Sequence, residues 1–168
     1  MSEEVEKVKQ YLRAWGLSER VREFTVSSAT VELAARAVGV IPARIAKTLS
    51  FLKKEGDGCV LVVAAGDARI DNKKFKALFG MKAKMLTPEQ VRDFTGHYIG
   101  GVCPFDLPQG RCEVWLDSSL RRFDTVYPAA GSDASAVELS CDELERCSQA
   151  RGWVDVCRTP EQAEGGEG

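Results

Sequence analysis

Lys47 is a lysine in an expensive place. The run Ile45-Ala46-Lys47-Thr48-Leu49-Ser50-Phe51-Leu52 alternates as a strand does, which sets Lys47 on the face of Ile45, Leu49 and Phe51 and leaves Ala46, Thr48 and Ser50 on the other. An ammonium among large apolar side chains is paired, snorkels at the strand end, or serves an anionic or carbonyl-bearing ligand. The second chemical feature is Gly100-Gly101-Val102-Cys103-Pro104-Phe105. Paired glycines let a backbone approach a carbonyl or phosphate oxygen and turn N–H groups toward it, with Pro104 fixing the loop; the same pair also suits a tight connection with no ligand. His97, the sole histidine, precedes this loop and reads as a hydrogen-bonding or packing residue. Cys103 has no activating partner besides His97, so a thiol nucleophile is not expected. From Arg69 to Lys84, six basic residues including Lys73, Lys74 and Lys76 face only Asp71, a patch suited to phosphates or to a solvated helix face.

The elements that must position these residues are marked by caps and periodicity. Val5, Val8, Leu12 and Trp15 recur at helical spacing after Ser2, and Gly16 ends the helix. Val21–Val26 reads as a short strand, and Thr30 caps a helix reaching Gly39. Glu55-Gly56-Asp57-Gly58 turns the Lys47 strand into Cys59–Ala65, apolar enough to be buried on both faces. Asp71 caps a helix with Phe75, Leu78 and Phe79 facing inward. A short strand at Ala83–Leu86 precedes the capping box Thr87-Pro88-Glu89-Gln90. His97–Gln109 has no period and forms a loop. Strands are expected at Cys112–Leu116, Thr125–Ala129, Ala136–Leu139 and Trp153–Cys157, with a second capping box at Ser140-Cys141-Asp142-Glu143. Hairpins mixed with helices imply one α/β domain around a mixed sheet, with residues 1–158 forming the domain and 159–168 a disordered, acidic, glycine-rich tail.

Composition is that of an ordinary globular chain, with 168 residues, 44% hydrophobic and 29% charged. The formal net charge is −2, and setting aside the tail's three glutamates makes it weakly positive, so no global field selects a partner. The acidic start is unlike a secretory signal, and the longest apolar run falls far short of the about 20 residues a bilayer requires. A cytoplasmic location with six reduced cysteines is therefore expected, and without a CxxC pair neither disulfides nor a zinc site is anticipated.

Several short segments resemble one family. These are Pro42-x-x-Ile45-Ala46-Lys47-Thr48-Leu49, then Gly66-Asp67-x-x-Ile70-Asp71 with Lys73-Lys74, then Gly96-His97-Tyr98-Ile99-Gly100-Gly101-Val102-Cys103-Pro104-Phe105. Tyr127-Pro128-Ala129-Ala130-Gly131 and Val137-Glu138-Leu139-Ser140 extend the match. In order and spacing they resemble the YbaK/prolyl-tRNA-synthetase-associated editing domain, from about Thr30 to Leu144. The resemblance implies a single α/β domain with a partly barrel-like sheet, and a freestanding, cofactor-free deacylase of mischarged tRNA, chiefly tRNA for proline carrying a small amino acid such as Cys, Ala or Ser. It implies that Lys47 holds the aminoacyl ester and terminal adenosine, and that Gly100 and Gly101 supply backbone contacts near the scissile bond. Thr30, Thr48, Cys103, Pro104, Gly131 and Ser132 are then substrate-binding candidates, Lys73, Lys74 and Lys76 meet the acceptor stem, and prolyl-tRNA synthetase is a candidate partner. An activated ester with a neighbouring ribose hydroxyl needs positioning and oxyanion contacts more than a general base. Members acting on cysteinyl-tRNA often carry an acidic residue where this chain has Ala136, which leaves the amino acid open and keeps a non-catalytic binder of tRNA or synthetase as the alternative.

Overall fold

Every α-helix among the described residues begins at an oxygen-bearing cap, and the computed structural model describes residues 2–161. Residues 162–168, most of the expected tail, lie outside the described residues, and Thr159, the first residue of that segment, is buried. Ser2 caps α1 (Glu3–Arg13), accepting from the Val5 N–H, and Val5, Val8 and Leu12 form its buried stripe. Strand β1 (Val21–Glu23) is shorter than its sequence suggested, because its antiparallel partner, β7 (Ser135–Val137), is equally short. Thr30 caps α2 (Val31–Val38), and Gly39 ends it in the left-handed conformation. Strands β2 (Ile45–Leu52) and β3 (Cys59–Ala65) form the expected hairpin, with every β3 residue buried.

After β4 (Arg69–Ile70), Asp71 caps α3 (Asn72–Phe79) by accepting from the Lys73 and Lys74 N–H groups. Phe75 is fully buried and meets Phe51 and Phe79 at ring-centroid distances of 4.8 and 4.7 Å. Leu78, expected in the core, is exposed, since Phe75 and Phe79 already fill the helix's inner face. Ala83–Leu86 does not form a strand but holds β2 through one bridge, Phe51 to Met85. The capping box at Thr87 opens α4 (Pro88–Thr95).

Strands β5 (Cys112–Asp117) and β6 (Thr125–Pro128) follow. Beyond β7, the expected Ala136–Leu139 strand breaks at Glu138, whose carboxylate accepts from the Tyr127 hydroxyl, and pairing resumes in β8 (Leu139–Ser140). Ser140 opens α5 (Cys141–Cys147) with a capping box. The final strand also divides: β9 (Gly152–Val154) pairs with β5, and β10 (Cys157–Arg158) crosses to β4. A curled half-barrel sheet of six strands in the order β8-β6-β2-β3-β5-β9 results, mixed in direction, with β3 between two neighbours at its centre.

The aromatic stack holds α3 to the sheet. Phe75→Ala is expected to lower the unfolding free energy by about 3–5 kcal/mol, read by urea denaturation; a loss below ~1 kcal/mol would show that the helix is secured elsewhere.

Candidate functional site

The outer edge of β2, opposite β3, is occupied only at its two ends. β6 pairs with Ile45 and Ala46. Farther along, the Leu52 N–H donates to the Lys84 carbonyl at 2.8 Å, and the Leu86 N–H donates to the Ser50 carbonyl at 3.1 Å. Lys47 to Leu49 lie between these contacts with no strand paired to them on this edge among the described residues. Because the Ser50 carbonyl and Leu52 N–H point outward, strand alternation points the backbone groups of Thr48 outward as well, into the vacancy. The Thr48 hydroxyl oxygen is buried and has no hydrogen-bond partner among the described residues.

A cavity of about 220 Å³ fills this vacancy. Ala46, Thr48 and Ser50 of β2 line it, with Thr30, Val31 and Ala34 from the start of α2. Leu86 and Val91, the loop residues Ile99, Gly100 and Val102, and Tyr127, Ser135 and Ala136 complete the wall. The small side chains of β2 leave the room, so the face opposite Phe51 contributes as much as Lys47's own. Lys47 is the sole charged residue lining the cavity among the described residues.

Lys47 Nζ donates to the backbone carbonyls of Gly66, at 3.3 Å, and Ala68. Its partners are therefore carbonyl oxygens of the turn after β3. An ammonium has three N–H donors, so one is left for a ligand. Burial pulls its pKa below the ordinary lysine value, opposed by Cys157 and Asp67 nearby.

Close packing of two loops shapes the rim. A Cβ on Gly101 would lie 2.7 Å from the Gly131 carbonyl oxygen and the Ser132 Cα, and one on Gly131, at φ +102°, would lie 2.6 Å from the Glu4 carbonyl oxygen. The loops and the start of α1 thus stack in three layers at backbone distance. Ser135 Oγ organises the middle layer, accepting from the Ala130 and Ser132 N–H groups at 3.0 and 3.2 Å and donating to the Ser132 carbonyl at 3.0 Å. The Gly101 N–H donates to the Tyr98 carbonyl at 3.0 Å, which leaves Gly100 as the glycine on the cavity wall.

His97 and Cys103 brace this loop from behind. His97 is 5% exposed, and its Nε2 lies 2.7 Å from the Phe105 carbonyl oxygen, so Nε2 carries the proton. Burial lowers the His97 pKa, the Phe105 carbonyl opposing. Cys103 is fully buried, 3.5 Å from His97 Nε2, and burial pushes its thiol up to about 12.

Of the residues singled out in the sequence, Thr30, Lys47, Thr48 and Gly100 meet at the cavity, and Gly101, Gly131 and Ser132 line an adjoining recess with Tyr98, Ile99 and Asp133. Cys103 and Pro104 are buried behind them. Lys73 and Lys76 are exposed on α3, which packs on the Phe51 face, whereas Lys74 Nζ is held by Asp155 at 3.0 Å and the Cys157 carbonyl at 3.2 Å. Ser135, Val91 and Met85 carried no sequence signal for the site beyond apolar or polar type. No group of three or more His, Cys, Asp or Glu side chains could hold a metal ion among the described residues.

A curled mixed sheet whose split edge opens on a cavity lined in part by Lys47 defines a small α/β domain. The sequence profile of the aminoacyl-tRNA editing domain matches residues 25–147, and the chain belongs to that family. Protein YwhH of Bacillus subtilis (strain 168) is 53% identical over 154 residues, covering 92% of this chain and 97% of that protein. A proline–tRNA ligase of Thermosipho melanesiensis is 28% identical over 139 residues, 82% of this chain but 24% of the ligase. A solved structure described as a candidate trans-editing enzyme for prolyl tRNA synthetase superposes with a TM-score of 0.84 at 30% identity, covering 94% of this chain and 99% of that one. The structure of protein APE2540 matches at a TM-score of 0.79 and 32% identity, covering 90% of this chain and 99% of that one.

Two outcomes test the loop geometry. Gly101→Ala should destabilise the protein by about 1–3 kcal/mol, measured by thermal unfolding, as the added methyl pushes the two loops apart. His97 has its pKa lowered on folding, so the unfolded chain binds the extra proton. Its contribution is complete above the unfolded value near about 6.5 and is lost as pH falls below it toward the folded value. His97→Gln should flatten that part of the stability–pH curve; an unchanged slope would remove His97 from the account.

Proposed function

We propose that this chain is an aminoacyl-tRNA deacylase acting in trans, hydrolysing the ester of tRNA for proline that carries a small amino acid such as Cys, Ala or Ser. The observation that carries this reading is the vacancy at Lys47–Leu49, where Thr48 turns unpaired backbone groups toward a cavity with one cation. An extended aminoacyl ester has the carbonyl and amine that such an edge pairs with, and about 220 Å³ favours a small side chain. The free Lys47 donor meets a carbonyl or phosphate oxygen where few waters compete, strengthening the contact as negative charge develops. The backbone at Gly100 closes on the ester from the opposite side. Attack by water then relies on the ester's own activation and the adjacent ribose hydroxyl.

Lys73 and Lys76 are exposed and suited to acceptor-stem phosphates, while Lys74 acts as a tether for α3. Lys73→Glu and Lys76→Glu should each weaken tRNA binding and reduce the salt slope by about one unit. Lys74→Ala should leave that slope unchanged and lower thermal stability instead.

One observation favours a non-hydrolytic binder: no carboxylate lines the cavity among the described residues to receive the substrate's amino group, and Ala136 stands on its wall. Deacylation assays with cysteinyl-, alanyl-, seryl- and threonyl-tRNA separate the readings. An editor releases at least one amino acid, and Lys47→Ala should lower that rate about 10²–10³-fold with an unchanged circular dichroism spectrum. Protection of all four esters by the wild-type protein would establish the binder.

A further inference from the structure

Two cysteines outside the cavity stand face to face. Cys59 opens β3 and Cys112 opens β5, and the two are register partners in the parallel ladder. Their sulfurs lie 2.9 Å apart. Neighbouring strands run about 4.8 Å apart, inside the ~4.4–6.8 Å range of Cα separations that a disulfide spans, so closing the bond needs side-chain rotation and no strand displacement. Cys59 is fully buried, whereas Cys112 is partly exposed and thus the sulfur an external reagent reaches first. The contact with Cys59 lowers the Cys112 pKa against the effect of burial, with Lys53 and Arg111 adding to it, while the Cys59 thiol is raised by the same contact and by burial.

Cys112 also ties this pair to the cavity wall. Its S–H donates at 3.2 Å to the carbonyl of Phe94, in the last turn of α4, where the helix supplies no N–H of its own. The Arg111 guanidinium covers the same residue, 4.7 Å from the Phe94 ring centroid. Val91 of this helix lines the cavity, and its end runs directly into the Gly96–Gly101 loop.

We propose that Cys59 and Cys112 are a reversible modification site that closes to a cross-strand disulfide by exchange with a low-molecular-weight disulfide. The Cys112 thiolate attacks one sulfur of the reagent, forming a mixed disulfide and releasing one small thiol. Cys59 then loses its proton, its sulfur bonds to Cys112 Sγ, and the second small thiol departs. Two protein thiols are oxidised and one small disulfide is reduced to two thiols. Closure strips the S–H donor from the Phe94 carbonyl and loosens the end of α4, so oxidation reaches the cavity loop.

The test incubates the reduced full chain with oxidised glutathione, followed by intact mass and peptide mapping. The expected product has lost two hydrogens, carries a Cys59–Cys112 linkage, leaves the other four cysteines free for alkylation, and reverts with dithiothreitol. Cys59→Ser should instead retain glutathione on Cys112, and Cys112→Ser should form neither species. In the oxidised wild type, amide hydrogen exchange across residues 95–101 should rise several-fold. Stable glutathione adducts on the wild-type protein, a linkage between other cysteines, or no reaction would overturn the site, and unchanged exchange at 95–101 would overturn the coupling to the loop.

Discussion

The vacancy along β2 is the constraint around which the rest of this structure is arranged. A strand edge inside a protein exposes N–H and C=O groups whose isolation costs about 1–3 kcal/mol each. β6 covers one end of this edge and the Lys84–Leu86 segment the other. Neither can advance without closing the cavity. The opposite edge of β2 is paired with β3 from Ala46 to Leu52, and β3 is buried throughout, so the open stretch is held rigidly from behind. Helices α2 and α4 and the glycine loops enclose the vacancy.

Lys47 belongs to the same design. A carboxylate partner would neutralise the cation and occupy its donors; the Gly66 and Ala68 carbonyls orient it while leaving its charge in place. Burial weakens the hold on the proton, opposed by Cys157 and Asp67 nearby. The turn that supplies those carbonyls leads through β4 to α3, whose Asp71 cap and Phe75 anchor fix it to the sheet. Positioning of one ammonium thus depends on an aromatic stack farther along the same face of β2.

Elements governed by local chemistry were legible in the sequence. Ser2, Thr30, Asp71, Thr87 and Ser140 each cap the helix that follows, because a side-chain oxygen and the first-turn N–H groups are neighbours along the chain. The β2–β3 hairpin was legible for the same reason. Segments 83–86, 136–139 and 153–157 were not, since their pairing is decided by distant partners: Met85 reaches one bridge, Glu138 is drawn aside to Tyr127, and the chain leaves β5 for β4 between Val154 and Cys157. At the site, residue type exposed Lys47 and the glycines. Ser135 and the unpaired edge at Thr48 depend on where other strands stop, and no local pattern records that.

The chemistry available at the cavity follows from what the nearby ionisable groups have been turned into. His97 has committed its Nε2 proton to the Phe105 carbonyl, and burial opposes its protonation. Cys103, with its thiol pushed up to about 12 and no exposure, is not a thiolate. As their sequence context suggested, His97 and Cys103 are placed to support the loop that carries Gly100. On the proposed reading, such a site orients an ester and neutralises developing charge, with no proton moved through either residue. Hydrolysis there would draw its proton transfers from water and the substrate's own hydroxyl, so selectivity would rest on which ester fits the vacancy in the orientation that Lys47 and Gly100 impose.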